Sequence, residues 1–181
     1  MNILFLTLLK IDTLNEKGIY HDLMREFASH GHSVYIVSPT ERREQKPSSL
    51  TKEGNVHFLN VRTLNVQKTN IFEKGIATLS IEPLFFRGVK KYFSNVKFDL
   101  VLYSTPPITF TKVIKYIKKK DGARSYLLLK DIFPQNAVDM KMMSQTGLIY
   151  RFFRYKEKEL YRVSDVIGCM SEANRQYLYQ H

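Results

Sequence analysis

Residues 2–9 read Asn2-Ile3-Leu4-Phe5-Leu6-Thr7-Leu8-Leu9, an almost unbroken apolar run. A strand covered on both faces reads this way, whereas a strand with one wet face alternates apolar and polar residues. The run resembles a secretory leader only superficially, because no basic region precedes it and a helical pattern follows soon after. In residues 18–30, Ile19, Leu23 and Phe27 recur at helical spacing, and Gly31 stands where a helix ends in a left-handed turn. A buried strand followed at once by an amphipathic helix is the first half of a parallel crossover unit.

The rest of the chain repeats that alternation. Residues 34–38 and 56–61 read as the second and third strands. Between them residues 40–55 are polar and charged, with Pro47 and Gly54, and predict a mobile surface loop. Residues 71–93 predict one broken helix or two short ones, interrupted by Pro83. Residues 98–103 form a fourth strand, 107–120 a helix entered through Pro106-Pro107, and 125–130 a fifth strand. A long helix over 147–162, a strand over 165–170 and a last helix over 172–179, with Ser171 as its N-cap, complete the pattern. The expected fold is α/β, one doubly wound, mostly parallel, Rossmann-like domain over residues 1–181. The chain stops one short helix after its sixth strand and reads as a half of something larger.

Composition narrows the function. The chain has 181 residues, 44% of them hydrophobic and 25% charged, which fits a globular protein and not a disordered one. A single cysteine excludes a disulfide framework, and no run approaches the roughly 18 apolar residues of a membrane span. A cytoplasmic protein is expected. The net charge is +11, and all of that excess lies in residues 41–130, with −1 before them and +1 after. A one-sided excess of this size asks for an anionic partner. In residues 87–97, Arg87, Lys90, Lys91 and Lys97 are interleaved with apolar and aromatic side chains, a mixture suited to an anionic lipid surface. The lysine-rich helix over 112–120 is half explained by its own macrodipole, which favours cations at the C-terminal end.

Ligands of a doubly wound sheet sit beyond the carboxyl ends of its strands. After the first strand, residues 9–18 hold a single glycine, Gly18, so the G-x-G-x-x-G phosphate loop is absent, and no Walker A sequence occurs anywhere. Gly18 and Lys17 are nonetheless candidates, since a glycine opening a helix lets a ligand approach the helix N-terminus; a plain tight turn explains it equally well. His30 and His32 flank Gly31 without further ligands and read as structural, so no metal is expected. The sharpest site is Lys130-Asp131-Ile132-Phe133-Pro134, where charge appears abruptly after a wholly apolar strand. A lone buried charge is costly, so these two residues either pair or face a cleft. Asp131 suits a hydroxyl-orienting or acid–base role, with a loop cap or internal salt bridge as the plainer reading.

Taken in order, Gly18, Gly31-His32-Ser33-Val34, Ser38-Pro39, Phe98-Asp99-Leu100-Val101, Thr105-Pro106-Pro107-Ile108, Asp131-Ile132-Phe133-Pro134-Gln135-Asn136-Ala137-Val138, Glu157, Leu160-Tyr161-Arg162, Ser164-Asp165-Val166-Ile167 and Ser171-Glu172 form a recognisable series. The chain resembles the N-terminal, acceptor-side half of a family 4 glycosyltransferase of the GT-B type, the class that assembles bacterial O-antigen and capsule. The Asp-x-aromatic-Pro form is most similar to transferases of the N-acetylfucosamine type. Two departures stand out: Lys17 replaces the first of the family's paired glycines, and Lys130 stands where many members have histidine.

The resemblance implies a retaining transfer of a sugar from a nucleotide-sugar donor to a lipid-linked glycan acceptor, at the inner face of the cell membrane. It implies Asp131 and Lys130 as catalytic residues and Gly18, Lys17, Thr105, Asn136, Ser171 and Glu172 as substrate contacts. Arg87, Lys90, Lys91 and Lys97 would meet the membrane and the acceptor pyrophosphate. No cofactor is expected, since the family holds its donor in the C-terminal domain, and this half alone should be inactive. A separate acceptor and membrane-binding subunit of a split transferase is an alternative. So is a basic nucleic-acid-binding α/β domain, although no reader motif appears and the aromatics fall at core positions.

Overall fold

In the computed structural model, residues 1–65 and 71–180 are described, and the side chains of residues 71–77 lie outside that description. Seven strands form one sheet in the order β3-β4-β2-β1-β5-β6-β7. They are β1 (Asn2–Leu6), β2 (Ser33–Glu41), β3 (Ser49–Glu53), β4 (Val56–Thr63), β5 (Leu100–Ser104), β6 (Arg124–Leu129) and β7 (Val166–Cys169). Every neighbouring pair is parallel except β3 with β4. The helices are α1 (Ile19–Ser29), α2 (Ile71–Tyr92), α3 (Thr111–Asp121), α4 (Gln135–Asp139), α5 (Leu148–Val163) and α6 (Glu172–Gln180). This is the expected doubly wound α/β fold.

β1 lies between β2 and β5, pairing Phe5 with Ile36 on one side and with Leu102 on the other. Ile3, Leu4, Phe5 and Leu6 are buried, as the unbroken apolar run requires. Phe5 and Ile3 face α1, where the Tyr20 ring lies 5.2 Å from Phe5 and Met24 is fully buried. Leu4 and Leu6 face the opposite layer, built from Phe85 and Val89 of α2, Ile114 and Ile117 of α3, and Leu160 of α5. Burying a side chain of this size contributes about 1.5–3 kcal/mol, so the two layers account for most of what holds the sheet.

Several features differ from the sequence reading; besides the short helix α4, which that reading does not contain, each does so for a local reason. The segment read as a loop over 40–55 holds the end of β2, a 3-10 turn over Arg42–Glu44 and the whole of β3. All five residues of β3 are exposed, so it has no apolar alternation to read, and only its antiparallel ladder to β4 defines it. α2 is one helix with Pro83 inside it; Ile81, Phe85 and Val89 pack on the sheet across the proline, and that packing outweighs the lost backbone bond. α3 begins at Thr111, where the Glu82 carboxylate of α2 accepts from the Lys112 amide and caps the helix from outside. The buried stripe of α1 is Tyr20 and Met24, and Ile19 is left exposed at its first position.

Gly31 meets its expectation. Its φ is +78°, and the amides of Gly31 and His32 reach back to the carbonyls of Ala28 and Phe27, closing α1. At the other end of the sheet a polar clasp fixes β7. Lys118 of α3 donates to the Val163 carbonyl at 2.9 Å and to Asp165 at 2.7 Å, while Asp165 accepts from the Ser125 amide at 2.8 Å and the Ser125 hydroxyl at 2.9 Å. The ammonium beside it holds the Asp165 carboxyl below its ordinary range.

Candidate functional site

Chain direction reverses about β1. The crossover through α1 leads to β2 on one side, and the crossover through α2 leads from β4 to β5 on the other, with the two helices on opposite faces. Connections leaving the carboxyl ends of β1 and β5 therefore part, and the gap between them is where such a sheet opens a crevice. The walls are residues 7–18 after β1, residues 105–110 after β5 and residues 130–134 after β6.

The first wall is fastened from below. The Ser38 hydroxyl, itself bonded to Asn60 at 2.8 Å, meets both the amide and the carbonyl of Ile11 at 3.3 Å. Arg25 of α1 donates to the carbonyls of Leu14 and, at 2.9 Å, of Glu16. Lys10 pairs with Glu44 at 2.5 Å and with Asp12 at 3.2 Å, which raises the lysine's pKa and lowers that of Glu44. The loop that meets a ligand is thus pre-shaped, which lowers the entropy cost of binding.

The second and third walls are joined by Thr105. Its hydroxyl is buried and accepts from the amides of Lys130, at 3.1 Å, and Asp131, at 3.3 Å. These are the first two residues beyond β6, so Thr105 sets the turn that presents them. The Lys130 ammonium lies 4.3 Å from the centroid of the Tyr20 ring, a cation–π contact that brings the start of α1 to the same place. Asp131 is exposed, and neither it nor Lys130 is ion-paired among the described residues. Of the two sequence alternatives, pairing or facing a cleft, the geometry has Asp131 facing outward.

The remaining sequence-derived residues divide. Lys17 is exposed and precedes Gly18, the extended N-cap of α1. A Cβ on Gly18 would stand 3.1 Å from Nδ1 of His21, so the glycine also makes room for that ring. The Oδ1 atom of Asn136, in the first turn of α4, is buried and finds no hydrogen-bond donor. Ser171 accepts from the Asn174 amide at 3.2 Å as the N-cap of α6, and Glu172 pairs with Arg175 at 2.9 Å. Both line an open groove of about 580 Å³ between β7 and α6, beside the crevice because Leu129 and Cys169 are paired in the sheet. Arg87, Lys90, Lys91 and Lys97 are exposed, with Lys90 near the rings of Phe86 and Tyr116 and Lys91 near Tyr92. The apolar members of that stretch, Phe85, Val89 and Phe93, are buried in the core.

Sequence reasoning missed His21. It is 4% exposed, neither ring nitrogen is hydrogen-bonded, and Nε2 lies 3.7 Å from the Glu16 carboxylate. Its signal was a polar residue beside Tyr20 and Met24 on the inner face of α1, three positions after Gly18. Arg25 and Tyr20 were missed as well, since each acts through a contact that sequence spacing does not report.

No family model and no curated protein matches the sequence. Solved structures do. The chain is similar to one described as trehalose-6-phosphate from E. coli bound with UDP-2-fluoro glucose, with a TM-score of 0.64 and 11% identity over 96% of this chain and 41% of that one. A structure described as OtsA in its apo state gives 0.62 and 11%, over 97% and 42%. An alpha,alpha-trehalose-phosphate synthase (UDP-forming) from Burkholderia vietnamiensis gives 0.58 and 8%, over 99% and 42%. The chain spans about two fifths of the length of these structures. At such identities the likeness is one of fold: this α/β domain has the architecture of one half of a GT-B glycosyltransferase.

Proposed function

We propose that the chain is the acceptor-side half of a retaining glycosyltransferase, which moves a sugar from a nucleotide donor to a lipid-linked glycan acceptor in surface polysaccharide assembly. The observation that carries the reading is Asp131: an exposed carboxylate on a residue whose backbone amide is held by the Thr105 hydroxyl, at the carboxyl edge of a sheet with the GT-B half architecture. In this reading Asp131 orients or deprotonates the acceptor hydroxyl. Lys130, steered by the Tyr20 ring, supplies positive charge for an acceptor phosphate. Gly18 and Lys17 border the same crevice, with Asn136, Ser171 and Glu172 as further contacts.

The donor would be held mainly by a partner domain, because these 181 residues contain no glycine-rich phosphate loop. The chain works at the cytoplasmic face of the membrane, and Arg87, Lys90, Lys91 and Lys97 attract its anionic lipids. No helix among the described residues is long and apolar enough to cross a bilayer.

Deleting the gene in its source organism tests the proposal. The expected result is loss of a surface glycan and accumulation of a truncated lipid-linked oligosaccharide. Complementation with the parent restores the glycan, and D131N leaves transfer reduced by roughly 10²-fold, the scale of a positioned acid–base group. Unchanged surface glycans after deletion would overturn the reading, and full rescue by D131N would remove Asp131 from it.

A further inference from the structure

Two segments of this chain mix basic and apolar residues, and they dispose of their apolar side chains in opposite ways. Among the described side chains of α2 the large ones mostly point into the core: Ile81, Phe85 and Val89 are buried, while Leu79 is 47% exposed. In α5 and the connection before it they point out. Leu148 is 81% exposed, Ile149 64%, Phe152 42% and Tyr155 56%, and Met140 and Met142 in the connection are 61% and 72% exposed. Leu148, Phe152 and Tyr155 follow the i, i+4, i+7 spacing of one helix stripe. The opposite face, with Tyr150, Glu157 and Leu160, is buried. A soluble helix seldom leaves a stripe of large apolar residues in water unless something covers it.

Charge identifies the cover. From residue 139 to the end of α5 at Val163 the exposed charges are Asp139, Lys141, Arg151, Lys158 and Arg162, four positive against one negative. Of the two acidic residues of α5, Glu157 is fully buried against Arg154 and Tyr161, and Glu159, which follows Tyr155 on the stripe, is paired with Lys115 and Lys156. On the helix wheel Arg151 and Lys158 flank the apolar stripe on one side, as in helices that lie in a headgroup layer with their cations at its level. A protein surface covering this stripe would need apolar matches and acidic residues, whereas an anionic bilayer offers both everywhere.

We propose that the outer face of α5, with the 140–147 connection, inserts shallowly into an anionic lipid bilayer. It rests on the transferase reading only for its biological purpose, since it names how the chain would reach a lipid-linked acceptor. α5 lies in the same helical layer as α2 and α3, so Arg87 and Lys91 add charge on that side of the sheet. α5 supplies the part that enters the lipid.

The chain has no tryptophan, so Phe152→Trp places one reporter on the stripe. With vesicles of phosphatidylglycerol and phosphatidylcholine, the expected result is co-sedimentation, a blue-shifted emission and quenching by lipids brominated near the top of the acyl chain. Phosphatidylcholine alone should bind far more weakly. Each basic residue near such a surface is worth about fivefold in affinity, so R151S/K158S should weaken binding by roughly 25-fold. L148S/F152S/Y155S should bind at least tenfold more weakly while keeping the parent's circular dichroism.

A chain that binds vesicles without quenching at residue 152 would overturn the proposal, and so would a triple variant that binds as the parent does. Self-association in solution without vesicle binding would also overturn it and assign the stripe to a second copy. None of these readouts involves donor or acceptor, so the transferase reading stands or falls separately, on the gene deletion.

Discussion

Thr105→Val tests whether one hydroxyl organises the candidate site. Valine keeps the shape and volume of threonine, so the buried pocket at the end of β5 stays filled and no cavity forms. What is lost is the acceptor for the amides of Lys130, at 3.1 Å, and Asp131, at 3.3 Å. A hydrogen bond of this kind contributes about 0.5–1.5 kcal/mol net, so two together put the loss at about 1–3 kcal/mol. For a domain of 181 residues each kcal/mol corresponds to about 2–4 °C, and the melting temperature should fall by roughly 2–12 °C. Thermal and urea melts followed by circular dichroism read this directly. Thr105→Ser keeps the hydroxyl and should lie between parent and valine variant, nearer the parent. If Thr105→Val is as stable as the parent, or if the serine variant loses as much as the valine variant, the hydroxyl does not hold the 130–131 turn.

Glu157→Ala should cost about 3–5 kcal/mol, the scale for leaving a buried partner uncompensated, because Arg154 and Tyr161 both bond this fully buried carboxylate; denaturant melts check it, and a loss under 1 kcal/mol would contradict the pairing. The Asp165 carboxyl is held below its ordinary value by Lys118, so its contribution is complete above the unfolded carboxylate range and is lost as pH falls through the folded value. Stability measured from pH 6 down to pH 3 should therefore decline less steeply in Asp165→Asn than in the parent, and parallel curves would refute this.

The sequence disclosed the fold wherever burial leaves a pattern. β1 announced itself because both its faces are covered, and α1 because Gly31 ends it in a left-handed turn. β3 stayed hidden because Ser49, Leu50, Thr51, Lys52 and Glu53 are all exposed and are ordered by backbone pairing alone. Pro83 misled because packing across a proline outweighs its local cost when both flanking turns are anchored.

The site divides the same way. Asp131 was legible, since a charge directly after an apolar strand must be accommodated. Thr105 was legible as part of a motif, but its bonds to residues 25 and 26 positions away were not. Ser171 carried two readings, and the structure shows its capping bond to Asn174. Tyr20 under Lys130, Arg25 under the first loop and the buried His21 depend on the tertiary fold, and nothing local in their spacing marks them.

The two margins of the sheet carry unequal hazards. Each outermost strand offers an unpaired row of amides and carbonyls to any other strand in solution. β3 guards its row with Lys52 and Glu53 and with exposure on both faces. β7 is Val166-Ile167-Gly168-Cys169, uncharged throughout, with Val166 48% exposed and a thiol at its end. Of the two margins β7 is therefore the more open to strand-to-strand pairing, and the one that a neighbouring domain or chain would have most reason to cover.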